Sequence, residues 1–188
     1  SIGIPKGIKT VLYVPTYRES DTTEKFEMDY QRVISAFEKR YRENWIMLIR
    51  IHPKMREKAR EIVPKTEKIV DVSLYPDIQE LMVVADALIT DYSSAVFDFI
   101  LTYKPGFIYA INEQRYDIER GLYYPLTATP FTVARNNEEL ERNIINFDAE
   151  EYSNRVTRFL QEKGSVDDGK ASERTVRLIQ TLLRRLGE

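Results

Sequence analysis

The chain has 188 residues, 43% hydrophobic and 31% charged, with a formal net charge of -2 and no cysteine. This length suits one sizeable core, and the composition excludes a disordered chain. The charge excludes a broad basic field for nucleic acid but leaves room for a local phosphate site. The missing cysteines exclude disulfides, cysteine-held zinc and thiol catalysis, and fit a reducing compartment. No apolar run approaches the roughly 20 residues that span a bilayer. No signal peptide is visible at the start. Residues 1–7, with Gly3, Pro5 and Gly7, read as a linker or cut point, so the chain is expected to be a piece of something longer.

Strand-like and helix-like patterns alternate. Residues 9–15 form an apolar, β-branched run stopped by Pro15. An amphipathic helix is expected over about 23–42, with Phe26, Tyr30, Val33, Ile34 and Phe37 on one face. Residues 45–51 are almost continuously apolar, as in a parallel strand covered on both sides. His52-Pro53 ends this run. A short charged helix over about 55–63 leads to a strand at 69–72. Asp77 then caps a helix, and Glu80 three residues on completes a capping-box pattern.

Residues 87–90 form a short buried strand, and Asp91-Tyr92-Ser93-Ser94 turns directly into a helix over 95–102. Pro105-Gly106 leads to a strand at 107–110. Residues 112–130, rich in Tyr, Arg and Pro, read as an irregular loop, either a lid or a packed surface connection. A last short strand at 131–134 precedes helices at about 137–146, 149–163 and 171–186. Those helices carry enough charge for the surface and enough Leu, Ile and Val to dock. The alternation predicts an α/β fold with a Rossmann-like, doubly wound parallel sheet.

Such sheets bind ligands outside the carboxyl ends of their strands. The residues there include Arg18 after the first strand, His52 and Lys54 after the second, Asp77 after the third, and Ser93 and Ser94 after the fourth. Two hydroxyls at a helix start, beside amides without intrahelical partners, suit a phosphate or diphosphate. Asp98, one turn on from Ser94, would accept ribose hydroxyls. The plainer reading makes Ser93 an N-cap and Asp98 a solvated helix residue. His52, the only histidine, is either a donor to the diphosphate or a ring that closes a loop on backbone. Arg18 is a phosphate contact or an exposed arginine. Asp77 is a nucleotide contact through its helix start or a simple cap. Glycine-rich phosphate loops and zinc-protease or serine-hydrolase motifs are absent. No carboxylate cluster demands a metal, and no cofactor is expected.

Tyr13-Val14-Pro15-Thr16-Tyr17-Arg18, Arg50-Ile51-His52-Pro53, Tyr75-Pro76-Asp77-Ile78-Gln79-Glu80-Leu81 and the block Ile89-Thr90-Asp91-Tyr92-Ser93-Ser94-Ala95-Val96-Phe97-Asp98-Phe99 occur in that order. Together they resemble the CDP-glycerol glycerophosphotransferase family, the teichoic acid primases and polymerases. The resemblance covers about residues 10–174. It implies one half of a GT-B fold, with residues 1–188 as a single C-terminal, donor-nucleotide-binding domain and the N-terminal half, with its base histidine, absent. It places His52, Ser93 and Ser94 at the donor diphosphate and matches Asp98 to the family's acidic residue after the serines. Joined to the strand-end reading, the candidate set is His52 as catalytic residue, His52, Ser93, Ser94 and Arg18 at the diphosphate, and Asp77, Ile78 and Asp98 at the nucleotide. The resemblance further implies CDP-glycerol or CDP-ribitol as donor, a lipid-linked polyol-phosphate or glycan acceptor, no nucleic acid, and a peripheral place at the inner face of the bacterial membrane. The family often has Pro-Gly-Pro ahead of its final helices, where this chain has Ala128-Thr129-Pro130. A nucleotide-sugar glycosyltransferase, a UDP-sugar 2-epimerase, or a non-catalytic nucleotide-binding module are the alternatives.

Overall fold

A computed structural model of the chain describes residues 3–16, 28–55, 59, 62–111, 113–122 and 124–186, with the backbone alone at 114, 115, 119 and 120. Six strands form one sheet: β1 (Lys9–Val14), β2 (Trp45–Ile49), β3 (Ile69–Asp71), β4 (Ala87–Thr90), β5 (Gly106–Tyr109) and β6 (Thr132–Ala134). Their order is β3-β2-β1-β4-β5-β6, and every neighbouring pair is parallel. The expected doubly wound α/β class is present. Every residue of β2, β4 and β5 is buried, as strands covered on both faces require.

The helices are α1 (Tyr30–Tyr41), α2 (Ile78–Val84), α3 (Ala95–Phe99), α4 (Glu113–Arg120), α5 (Asn137–Ile145), α6 (Ala149–Glu162) and α7 (Ala171–Leu186). Helix α1 starts later than its periodicity suggests. The Asp29 carboxylate accepts the Arg32 amide at 3.0 Å and makes residue 29 the cap. Arg18 and Phe26 lie outside the described residues, as does part of the expected charged helix over 55–63. Val33, Ile34 and Phe37 of α1 are fully buried, and the Phe37 ring stacks on Trp45 at 4.5 Å between centroids. Helices α5 and α6 bury Leu140, Ile144, Tyr152, Val156 and Phe159.

Three expectations need correction. Residues 112–130 are not wholly irregular: α4 occupies Glu113–Arg120 and a 3₁₀ turn occupies Leu126–Ala128. Gly121 supplies the left-handed residue, φ +75°, that ends α4, and its amide bonds to the Asp117 carbonyl at 2.9 Å. The capping box at Asp77 is only half formed. Asp77 accepts the Gln79 amide at 2.7 Å, but Glu80 accepts the Tyr75 hydroxyl, which reaches it first from the preceding turn. Finally, α7 does not dock, since none of its residues is buried.

Candidate functional site

The connections leaving β1 and β4 run to opposite sides of the sheet, because β1 is followed by β2 on one flank and β4 by β5 on the other. Such a switch point opens a crevice at the strand ends. A cavity of about 640 Å³ lies there, a size ordinary for a small-molecule site. Its polar wall comes from three loops: Thr16 after β1, Arg50 and His52 after β2, and Asp91 to Ser94 after β4. Its apolar and aromatic wall includes Ile78, Phe97, Ile108, Tyr116 and Tyr124.

Partly buried hydrogen bonds hold the loops against one another. One Asp91 carboxylate oxygen accepts the Thr16 amide at 2.8 Å, the Thr16 hydroxyl, and the Tyr92 amide at 2.7 Å. The clasp joins the β1 and β4 loops across the crevice. On the β2 side, the Arg50 amide donates to the Tyr13 carbonyl at 3.0 Å, and its guanidinium donates to the Tyr75 carbonyl at 2.7 Å. The Tyr75 hydroxyl donates to Glu80, and that bond, ahead of desolvation, raises the phenol's pKa and keeps it a donor.

His52 is half-buried, and its Nδ1 accepts the Lys54 amide at 3.2 Å. A nitrogen that accepts an N–H carries no proton, so the neutral imidazole holds its hydrogen on Nε2. The ring therefore closes its loop on backbone through Nδ1, as the second sequence reading of His52 expects.

Ser94, not Ser93, is the N-cap of α3, and its side chain makes no capping bond. The Ser93 hydroxyl oxygen instead accepts the Ala95 amide at 3.3 Å. The Val96 and Phe97 amides bond to the Ser93 and Ser94 carbonyls at 3.3 and 2.9 Å. The amides expected to be open are thus engaged within the turn, because it is wound tightly in i to i+3 bonds. The Ser93 and Ser94 hydroxyls each keep an O–H to donate.

His52, Ser93, Ser94 and Ile78 come together on the cavity wall. Asp77 and Asp98 are not part of that wall: Asp77 caps α2, and Asp98 is exposed on α3. Sequence reasoning missed Thr16, Arg50, Asp91, Tyr92 and Tyr116. The first four sit in the strand-end loops where they were open to inference. Tyr116 stacks on Tyr92 with centroids 4.1 Å apart and planes 10° apart, and only the placement of α4 reveals it. Among the described residues no group of three or more His, Cys, Asp or Glu could hold a metal. No helix among them is long and apolar enough to cross a membrane.

A doubly wound sheet with its cavity at the switch point is the Rossmann-like class of nucleotide-binding domain. The family can be given as well. Residues 1–181 match the model of the CDP-Glycerol:Poly(glycerophosphate) glycerophosphotransferase family, and the chain belongs to that family. It is 30% identical over 184 residues to a teichoic acid glycerol-phosphate transferase of Staphylococcus aureus, covering 95% of this chain and 46% of that protein. It is 29% identical over 179 residues to a teichoic acid ribitol-phosphate primase of Bacillus spizizenii, covering 93% of this chain and 44% of that one.

The wall teichoic acid polymerase TagF superposes with a TM-score of 0.74 at 27% identity, covering all of this chain and 47% of that structure. TagF is a GT-B type enzyme, and this fold corresponds to one of its Rossmann-like halves. A UDP-GlcNAc 2-epimerase from Neisseria meningitidis, TM-score 0.55 at 15% identity over 96% of this chain and 46% of that one, shares the fold alone. The chain thus spans less than half the length of these relatives.

Proposed function

We propose that this chain is the donor-binding domain of a teichoic acid polyol-phosphate transferase that takes CDP-glycerol. The observation that carries the reading is the meeting of His52, Ser93 and Ser94 on one cavity at the switch point of the sheet. A polymerase related to this chain, with 26% identity and a TM-score of 0.70, was studied as an H444N variant soaked with CDPG, which supports a CDP-linked donor; this chain covers 44% of that structure. The glycerol and ribitol relatives are about equally similar, at 30% and 29% identity. CDP-ribitol is therefore the alternative donor.

In the proposed reaction, a hydroxyl of a lipid-linked acceptor attacks the β-phosphorus of CDP-glycerol. A new P–O bond forms, the bridging P–O bond breaks, and CMP leaves with the electron pair. The acceptor proton goes to a base outside this chain. Negative charge grows on the transferred phosphoryl oxygens and on the departing CMP oxygen. The Nε2–H of His52 and the Ser93 and Ser94 hydroxyls are assigned to that charge as fixed donors. Ile78 is assigned to the base, and Arg18, which lies outside the described residues, to the phosphates. The whole enzyme works on the inner face of the bacterial membrane, where its acceptor is anchored.

Calorimetric titration tests the reading. A CDP-alditol is expected to bind more tightly than UDP-N-acetylglucosamine. His52→Ala and Ser94→Ala should each weaken it roughly 10-fold, as for one lost hydrogen bond to a charged group. Tighter binding of the UDP-sugar would move the assignment to the nucleotide-sugar enzymes. Donor binding without turnover, even with the rest of a full-length protein supplied, would make the chain a binding module.

A further inference from the structure

Helix α7 follows an exposed connection over 163–170 and is itself exposed along its whole length. With 3.6 residues per turn, Leu178, Ile179, Leu182, Leu183 and Leu186 fall on one face, within an arc of about 140°. Arg177 and Arg184 lie opposite that face, and Arg174 and Arg185 border it. The core gives no reason for so regular a pattern, because none of these side chains is buried against it. A continuous apolar face left on a surface marks an interaction site.

The charge of the helix says what kind. Lys170, Arg174, Arg177, Arg184 and Arg185 outnumber Asp167, Asp168 and Glu173 by two, although the chain as a whole carries -2. Positive charge is thus gathered on an element that also exposes an apolar face. Arg174 pairs with Asp168 and Arg177 with Glu173, which leaves Arg184 and Arg185, beside the last leucines, without an ion pair among the described residues. A second copy of the helix would bring charge of the same sign. A negatively charged lipid surface takes both features: the leucines enter the boundary between headgroups and acyl chains, and the arginines meet the anionic headgroups. Arg174 and Arg185, at the border, reach those headgroups while their stems stay with the apolar face.

We infer that α7 is a membrane-surface helix, which lies in the plane of an anionic bilayer. The inference deepens the membrane location given in the proposed function, and it takes nothing from the donor cavity.

Sedimentation of the whole 188-residue chain with vesicles tests it. Vesicles of phosphatidylglycerol and phosphatidylcholine in equal parts should carry the chain down, and pure phosphatidylcholine should carry much less. Arg184→Gln with Arg185→Gln should weaken the partition roughly 30-fold, at about 5-fold for each basic residue near an anionic surface. Raised salt should weaken it as well. Leu182→Gln with Leu183→Gln should abolish it. These side chains are exposed, so the urea midpoint of each variant should match wild type. Titration with CDP-glycerol should also be unchanged in every variant, so that failure of the donor reading and failure of this one show separately. Absence of binding to the anionic vesicles, equal binding to both kinds, or binding that survives the leucine substitutions would overturn the inference. So would a dimer in lipid-free buffer that the same leucine substitutions dissociate while the vesicles capture nothing.

Discussion

At the scale of single residues, the site depends on groups that hold its walls in place. Asp91 holds the Thr16 and Tyr92 amides with one oxygen, and it is buried. Asp91→Ala removes the acceptor of both half-buried amides, and an unsatisfied polar group costs up to about 1–3 kcal/mol when it is fully buried. A loss of about 2–4 kcal/mol in urea unfolding is expected, together with weaker donor binding; a loss below about 0.5 kcal/mol, the level of a neutral surface change, would show that the clasp is incidental. Gly106 is a second such position. A β-carbon there would come within 3.1 Å of the Phe131 ring and the Tyr152 hydroxyl. Both neighbours are buried. Gly106→Ala should therefore destabilise by about 1–3 kcal/mol, the cost of overpacking, measurable as a shift in the urea midpoint. His52, Ser93 and Ser94 were legible from the sequence because strand ends locate the site. Arg50 and Asp91 stood in the same motifs but carry no local mark that separates a cavity wall from a buried structural polar group.

Elements tell a similar story of local signals and distant competition. Helix boundaries followed their caps: Asp29, Asp77, Asn136 and Asp148 each accept an amide two or three residues on. The late start of α1 and the half-formed box at Asp77 both reflect alternatives that periodicity does not rank. Glu80 chose a phenol over the cap amide. Helix α4 escaped notice because tyrosine-rich, highly charged sequence reads as loop, although Gly121 marks its end as a left-handed cap. The carboxyl end of α2 has a distant partner in Lys104, whose ammonium donates to the Val83 and Ala85 carbonyls at 2.7 and 2.8 Å. Lys104→Met removes both bonds and should cost about 1 kcal/mol. Hydrogen exchange should show the loss as faster opening of α2 while the protection of β1 changes little.

For the molecule as a whole, the strand order places the cavity. Parallel pairing and burial of entire strands were readable from apolar runs; the order β3-β2-β1-β4-β5-β6 was not, since register and neighbours are set by packing across the sheet. Helix α7 stands apart from this core. Leu178, Ile179, Leu182, Leu183 and Leu186 are all about half exposed or more, and none of its side chains is buried. Its own contacts are local ion pairs, Arg174 with Asp168 and Arg177 with Glu173. A chain ended after Ser165 should therefore unfold within about 0.5 kcal/mol of the full chain. A larger loss would mean that α7 stabilises the domain.

The central claim is that the switch-point cavity is where the donor sits. Amide shift mapping of the domain during titration with CDP-glycerol tests it most directly. The account predicts the largest changes at His52, Ser93, Ser94, Arg50 and Tyr92. Saturable binding whose shifts cluster instead on the groove formed by Ile4, Ile8, Val83 and Val84, with the strand-end loops unmoved, would contradict it.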